Sequence, residues 1–312
     1  MSTLPVIGAV DGSDDSLVAL DWAFDAALVR EAPLRVVHVQ QYAAWARPEV
    51  LPAGRPVPED DPVLDRVRRY LDGRVERPAT EYVALAGAAS AVLPELGAAA
   101  QLLVLGSRGR GGFASLLLGS NGMAVARDAG CPVVVVPKPG RDGGTSHAFR
   151  AVGERDDRPI EPGPRVVVGL QVDSPDDATL SFAFAEAALR GARLQVVAAY
   201  TWPLHLWTDA TAQVVPPSHD QDAVEAETRD LAEGFLAPHR ERHPDVRAEP
   251  YVAPGDAAGH LVAASREAHL VVVGRHRRRL LAPARMMGSV THAVLLHAAS
   301  PVAVVPATPL EE

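Results

Sequence analysis

The sequence predicts an α/β chain made of two tandem doubly wound domains, each a five-stranded parallel sheet with helices on both faces. Three observations lead there. The 312 residues suit two domains at about 100–200 residues each. Segments recur in the same order: residues 34–40 (LRVVHVQ) as 194–200 (LQVVAAY), 101–106 (QLLVLG) as 269–274 (HLVVVG), and 130–137 (GCPVVVVP) as 299–306 (ASPVAVVP), at offsets of 160, 168 and 169. A period of that size marks a duplicated domain. Finally, short β-branched apolar runs alternate with longer amphipathic stretches, the pattern of parallel strands joined by helical crossovers.

The runs in the first copy are residues 4–10, 34–40, 80–85, 102–106 and 132–137. Their near-continuous hydrophobicity fits strands covered on both faces. Between the first two runs, Leu17, Leu20, Phe24 and Leu28 form one apolar stripe at helical spacing. Further on, Asp61-Pro62 supplies an N-cap followed by proline at the first helical position, and Leu64, Val67 and Leu71 then repeat on one face. The second copy follows the same plan, from a first strand at 165–172 to a last one at 302–305. The expected division is residues 1–138, a linker over 139–163 rich in Gly, Pro and charge, and residues 164–312.

Composition bounds the function. Apolar residues at 47% and charged residues at 22% give a globular balance. A unit of about 150 residues buries roughly 70% of its unfolded surface, so neither half needs a disulfide or a metal to fold. The single cysteine, Cys131, excludes a disulfide scaffold or a Cys-cluster zinc site within one chain. A net charge of −9 argues against a dedicated nucleic-acid binder. There is no 18-residue apolar run, and the first residues lack the basic and apolar regions of an export signal. The expectation is therefore a cytoplasmic chain with no membrane partner.

Open parallel sheets bind ligands beyond the carboxyl ends of their strands, where strand order reverses. Two segments qualify: 9–13 (AVDGS), leaving the first strand, and 106–121 (GSRGRGGFASLLLGSN), leaving the fourth. In the second segment, Gly106 ends a strand where a missing Cβ would let another molecule approach the backbone. Gly109 can take positive φ and turn successive N–H groups inward. Gly119 and Ser120 open a helix whose first N–H groups are unpaired and whose dipole favours an anion. Arg108 and Arg110 lie nearby as charge partners. The loop is neither a Walker A motif nor a Rossmann fingerprint, because the spacing differs and the only lysine, Lys138, lies elsewhere.

The loop does fit G-x2-G-x9-G-[ST], and with the opening V-D-G-S and the duplicated halves it closely resembles the universal stress protein family in its tandem-domain form. The resemblance implies ATP binding in the first half. Adenine and ribose would lie near Ala9 and Asp11, with the base against backbone around Val39. Ribose and phosphates would be held by Gly106, Gly109, Gly119 and Ser120, with Asn121 extending the helix start. A bound triphosphate would bring Mg2+ with it, although the sequence supplies no dedicated metal ligand. The resemblance also implies pairing of the two halves through their fifth strands, leaving a homodimer open, and a regulatory protein partner that the sequence does not name. Asp11 to Ser16 (DGSDDS) also reads simply as a helix N-cap cluster.

The second half carries the weaker motif. Gly274, Gly288 and Ser289 survive, but Arg277 replaces the second glycine, the spacing is one residue longer, and the stretch from Gly169 to Ser174 (GLQVDS) puts Gln171 where Asp11 would fall, with the Asp displaced to Asp173. A non-glycine residue at positive φ costs about 1–2 kcal/mol, so this half is expected to bind ATP weakly or not at all. Elsewhere His239 and His243 sit four apart on a helix expected over 220–243. With no third ligand apparent, they read as solvated surface histidines. Cys131 reads as a packed, inert thiol. The leading expectation is a non-catalytic ATP-binding stress or regulatory protein. The alternatives are an ATP-using enzyme with slow hydrolysis or adenylation, and a ligand-free interaction module.

Overall fold

A computed structural model describes residues 4–40, 61–107, 118–138, 163–200, 221–275 and 287–307. In the first half the elements are β1 (Val6–Val10), α1 (Asp14–Val29), β2 (Leu34–Gln40), α2 (Pro62–Leu71), β3 (Thr80–Ala86), α3 (Ala89–Leu96), β4 (Leu102–Gly106), α4 (Ser120–Asp128) and β5 (Val133–Val136). The second half repeats them as β6 (Arg165–Gly169), α5 (Asp177–Leu189), β7 (Arg193–Tyr200), α6 (Gln221–Arg242), β8 (Ala248–Pro254), α7 (Ala257–Ala264), β9 (Leu270–Gly274), α8 (Ser289–His297) and β10 (Val302–Val305).

The strands form one ten-stranded sheet in the order β3-β2-β1-β4-β5-β10-β9-β6-β7-β8. Within each half all pairings are parallel, and strand order reverses between β1 and β4 and between β6 and β9. The halves join through β5 and β10, which run antiparallel with Val302 opposite Val135 and Val304 opposite Val133. A five-stranded half standing alone would expose β5 as an edge with unpaired backbone groups. Here each fifth strand covers the other, and β3 and β8 become the outer strands.

All four valines of β5 are buried, as the continuous apolar run requires of a strand covered on both faces. Helices α1, α2, α5 and α6 pack on one face over Val6, Val36, Val134, Val166 and Ala303. Helices α3, α4, α7 and α8 pack on the other over Ile7, Val37, Leu103, Val135, Val271 and Val304. Both cores run unbroken across the seam. Asp61 caps α2 as its residue type and the following proline require, its Oδ1 accepting from Val63 N at 2.9 Å and Leu64 N at 3.1 Å.

Two expectations change. The first strand of the second half ends at Gly169 rather than at 172, because residues 171–174 turn, with Ser174 N donating to Gln171 O at 3.2 Å. Asp, Ser and Pro at 173–175 favour that turn, and α5 consequently starts at its Asp176 cap. His239 is not a solvated histidine. It is 2% exposed, stacks on Phe184 at 5.2 Å, and its Nε2 lies 3.1 Å from Asp177 Oδ1. Packing of α6 on α5 buries it, and burial followed by the neighbouring Arg242 charge holds its pKa below the usual histidine value.

The seam carries a buried charge cluster. Arg30 at the end of α1 and Arg190 at the end of α5 occupy equivalent repeat positions, 160 residues apart. Both guanidinium groups meet the carboxylate of Glu186, which is 1% exposed. The repeat counterpart of Glu186 is Ala26, so the two arginines share Glu186, and the Asp25 charge also acts on Arg190. Burial, and for Arg30 also the like charge of Arg190, pulls each arginine down to about 10. Arg190 also lies over the Trp22 ring, 5.1 Å from its centroid.

Candidate functional site

The first crossover leaves β1 through a tight loop. Asp11 Oδ1 accepts from Ser13 N at 3.0 Å and from Ser13 Oγ at 2.6 Å, while Gly12 takes φ 81°. Ser13 then caps α1, its Oγ accepting from Ser16 N at 3.2 Å. The capping reading of this segment therefore holds for Ser13, and Asp11 shapes the turn before it. Arg66 on α2 grips the same loop, donating to Gly12 O at 2.8 Å and to Asp14 Oδ1 at 3.0 Å. Nothing in the sequence pattern marked Arg66, because its partners lie more than fifty residues away.

Side chains alternate along a strand, and this alternation assembles the crevice. Ala9 and Val39 both face the core beneath α3 and α4, and β1 and β2 are adjacent with Val10 level with His38. On the opposite face, His38 and Gln40 flank Val39 and close on Asp61. His38 Nδ1 is 2.6 Å from Asp61 Oδ2, and Gln40 Nε2 donates to the same oxygen at 3.0 Å. Burial works to raise the Asp61 pKa. The hydrogen bonds from Gln40, His38 and the Leu64 N–H, with the His38 charge, outweigh it and hold the carboxyl below its usual range. This clamp fixes the end of β2 and the start of α2, and so the rim around Val39.

At β4, a Cβ on Gly106 would lie 3.0 Å from Asp15 O and 3.1 Å from Asp15 C. The backbone that approaches Gly106 belongs to α1 of the same chain, so this glycine serves internal packing rather than leaving room for another molecule. Gly119 is different. It is the N-cap of α4, no side chain among the described residues caps that helix, and its N–H donates to Ser107 O at 2.8 Å. Among the described residues, a Cβ placed on Gly119 would meet only Ser107 O, at 3.8 Å. Ser120 and Asn121 follow, both exposed. The structure thus brings Ala9, Asp11, Val39, Gly106, Gly119, Ser120 and Asn121 to the carboxyl ends of β1, β2 and β4, around the strand-order reversal. Arg108, Gly109 and Arg110 lie outside the described residues.

In the second half Gly169 ends β6, Gly274 ends β9, and Gly288 and Ser289 open α8. Arg277 lies outside the described residues. A Cβ on Gly274 would meet Thr179 Oγ1 at 2.8 Å and Asp176 Oδ2 at 3.2 Å. Thr291 Oγ1 donates to Gly274 O at 2.8 Å, tying α8 to β9. The counterpart of Thr291 in the first half is Gly122, which has no side chain to make that tie. Gln171, at the position of Asp11, is exposed.

Among the described residues no group of three His, Cys, Asp or Glu could hold a metal, and no helix is long and apolar enough to cross a membrane. Cys131 is buried, and that burial pushes its thiol up to about 11, away from nucleophilic chemistry.

A tandem pair of doubly wound halves, with a glycine-capped helix at the strand-order reversal, defines the open parallel α/β class whose crevice lies beyond the carboxyl ends of the strands. The sequence model of the Universal stress protein family matches residues 4–137 and 164–306, and the chain belongs to that family. Universal stress protein Rv2005c of Mycobacterium tuberculosis is 33% identical over 310 residues, covering 96% of each chain. Universal stress protein Rv2623 of the same species is 29% identical over 316 residues, covering 97% of this chain and 96% of its own. Among solved structures, a universal stress protein from Archaeoglobus fulgidus superposes with a TM-score of 0.57 at 15% identity, over 99% of this chain and 98% of that one.

Proposed function

We propose that the first half binds ATP and that the chain acts as a non-catalytic, nucleotide-responsive regulatory protein. The observation that carries this reading is the start of α4. It is a helix N-terminus at the strand-order reversal, capped by a glycine whose Cβ would, among the described residues, make only an ordinary contact with Ser107 O, and followed by exposed Ser120 and Asn121. Unpaired N–H groups and the helix dipole favour a phosphate there. Ser120 can donate to a phosphate oxygen, and Asn121 can add an amide donor. Ala9 and Val39 offer apolar surface for a base on the same face, with Asp11 between them and the phosphates. The described residues fit a nucleotide in this way, but they offer no carboxylate cluster for Mg2+. Magnesium would therefore arrive on the triphosphate.

Asp11 Oδ1 accepts from Ser13 N and Oγ, which shapes the turn at the rim of this site. The second half contributes a degenerate crevice, in which Thr291 bridges α8 to β9 and Gln171 stands for Asp11.

Calorimetric titration of the full chain with Mg-ATP tests the reading. One nucleotide per chain is expected. Gly119→Val should abolish the heat while leaving the fold intact, because among the described residues its Cβ makes only an ordinary 3.8 Å contact with Ser107 O. Two equal sites would overturn the asymmetry between halves, and an unchanged affinity in Gly119→Val would overturn the site. Release of phosphate or pyrophosphate at several turnovers per minute would make the protein an enzyme instead.

A further inference from the structure

We propose that Arg275, from the second half, is a positioning residue for the phosphate-facing end of α4 in the first half. This rests on the nucleotide reading above. Arg275 is the first residue after β9. Its backbone N–H donates to Val305 O at 2.7 Å, fixing it to β10, the strand paired with β5. Its side chain crosses the seam. Nη1 donates to Arg127 O at 2.8 Å and to Ala129 O at 2.7 Å, the carbonyls at the carboxyl end of α4.

The physical consequence runs along the helix. The last carbonyls of any helix lack partners within it, and a cation there complements the negative end of its dipole. Helix α4 has nine residues, about 14 Å at 1.5 Å per residue, and a helix that short is marginal without tertiary support. Among its described contacts, no side chain caps its amino end. Its amino end is tied by Gly119 N to Ser107 O and its middle by Val125 and Ala126 in the core, so the aim of its first N–H groups also depends on how firmly the far end is held. Arg275 holds that end with charge-assisted hydrogen bonds from a strand of the other half. The second half, whose own crevice is altered, thereby takes part in the crevice of the first.

The test compares ATP with adenosine, which has no phosphate and so makes no use of α4. Competition titrations on the full chain should show Arg275→Ala weakening ATP about threefold to tenfold, the range a helix-terminal charge supplies, with adenosine affinity unchanged. Arg275→Lys, which keeps the charge and can reach carbonyl oxygens, should return ATP affinity to within about twofold of the unmodified chain. The proposal is overturned if Arg275→Ala leaves ATP affinity intact, if ATP and adenosine weaken alike, or if the lysine variant behaves like alanine. Failure of the unmodified chain to bind ATP is a separate outcome. It would remove the nucleotide reading and this proposal with it.

Discussion

Glu186→Ala is the substitution that most directly probes how the two halves hold together. The carboxylate is 1% exposed, and the Arg30 and Arg190 side chains it joins are 8% and 17% exposed. Removing one partner from a buried ion cluster costs about 3–5 kcal/mol, because the remaining charge is left without compensation. Arg190 is the more exposed of the two cations and keeps both the Asp25 charge and its contact with Trp22, so the lower end, about 3 kcal/mol, applies. At about 2–4 °C per kcal/mol for a large domain, the melting temperature should fall by about 6 °C or more. Differential scanning calorimetry of the full chain measures it. The repeat geometry supplies the control: moving the carboxylate to the equivalent position on α1, in Ala26→Glu/Glu186→Ala, should recover most of the loss. From there it would again lie four residues before one arginine and across the seam from the other. A fall of less than 1 °C in the single variant, or a double variant no better than the single, would refute the reasoning.

Two further outcomes follow from the site. The folded pKa of Asp61 lies below its ordinary value of 3.8. Its contribution is therefore complete above that ordinary value and is lost as pH falls through the lower, folded one. Asp61→Asn, which keeps a capping oxygen for Val63 and Leu64, should cost about 1 kcal/mol at neutral pH through the weakened clasp of His38 and Gln40, and melts at pH 7 and pH 3 should show the gap to the unmodified chain narrowing in acid. Gly106→Ala should destabilise by about 1–3 kcal/mol, since its Cβ meets helix backbone that must shift. A urea titration showing no loss would place α1 farther from β4 than described.

The two glycines show where sequence reasoning reaches its limit. Gly106 and Gly119 belong to one motif and look alike in it. One accommodates the backbone of α1, and the other leaves a helix start open. A glycine in a sequence announces that a Cβ is unwanted, but not what would collide with it. Asp61 was legible as a cap because a capping residue and its targets lie within three positions of one another. Its clasp by His38 and Gln40 was not, because those partners lie on another strand. His239 was misread for the same reason. Its helix and spacing were plain, but its burial depends on where α5 lies.

The amino-acid sequence alone determined the duplication, the strand and helix order, the doubly wound class and the asymmetry between the two glycine motifs. These are written in local periodicity and in residues a few positions apart. Only the tertiary structure decided that β5 and β10, whose pairing the family resemblance implied, run antiparallel within one ten-stranded sheet, that Glu186 joins two equivalent arginines, and that Arg275 reaches the end of α4. Each of those joins residues over a hundred positions apart in the chain, or places a charge by packing, and a contact at that separation leaves no period in the sequence to be read.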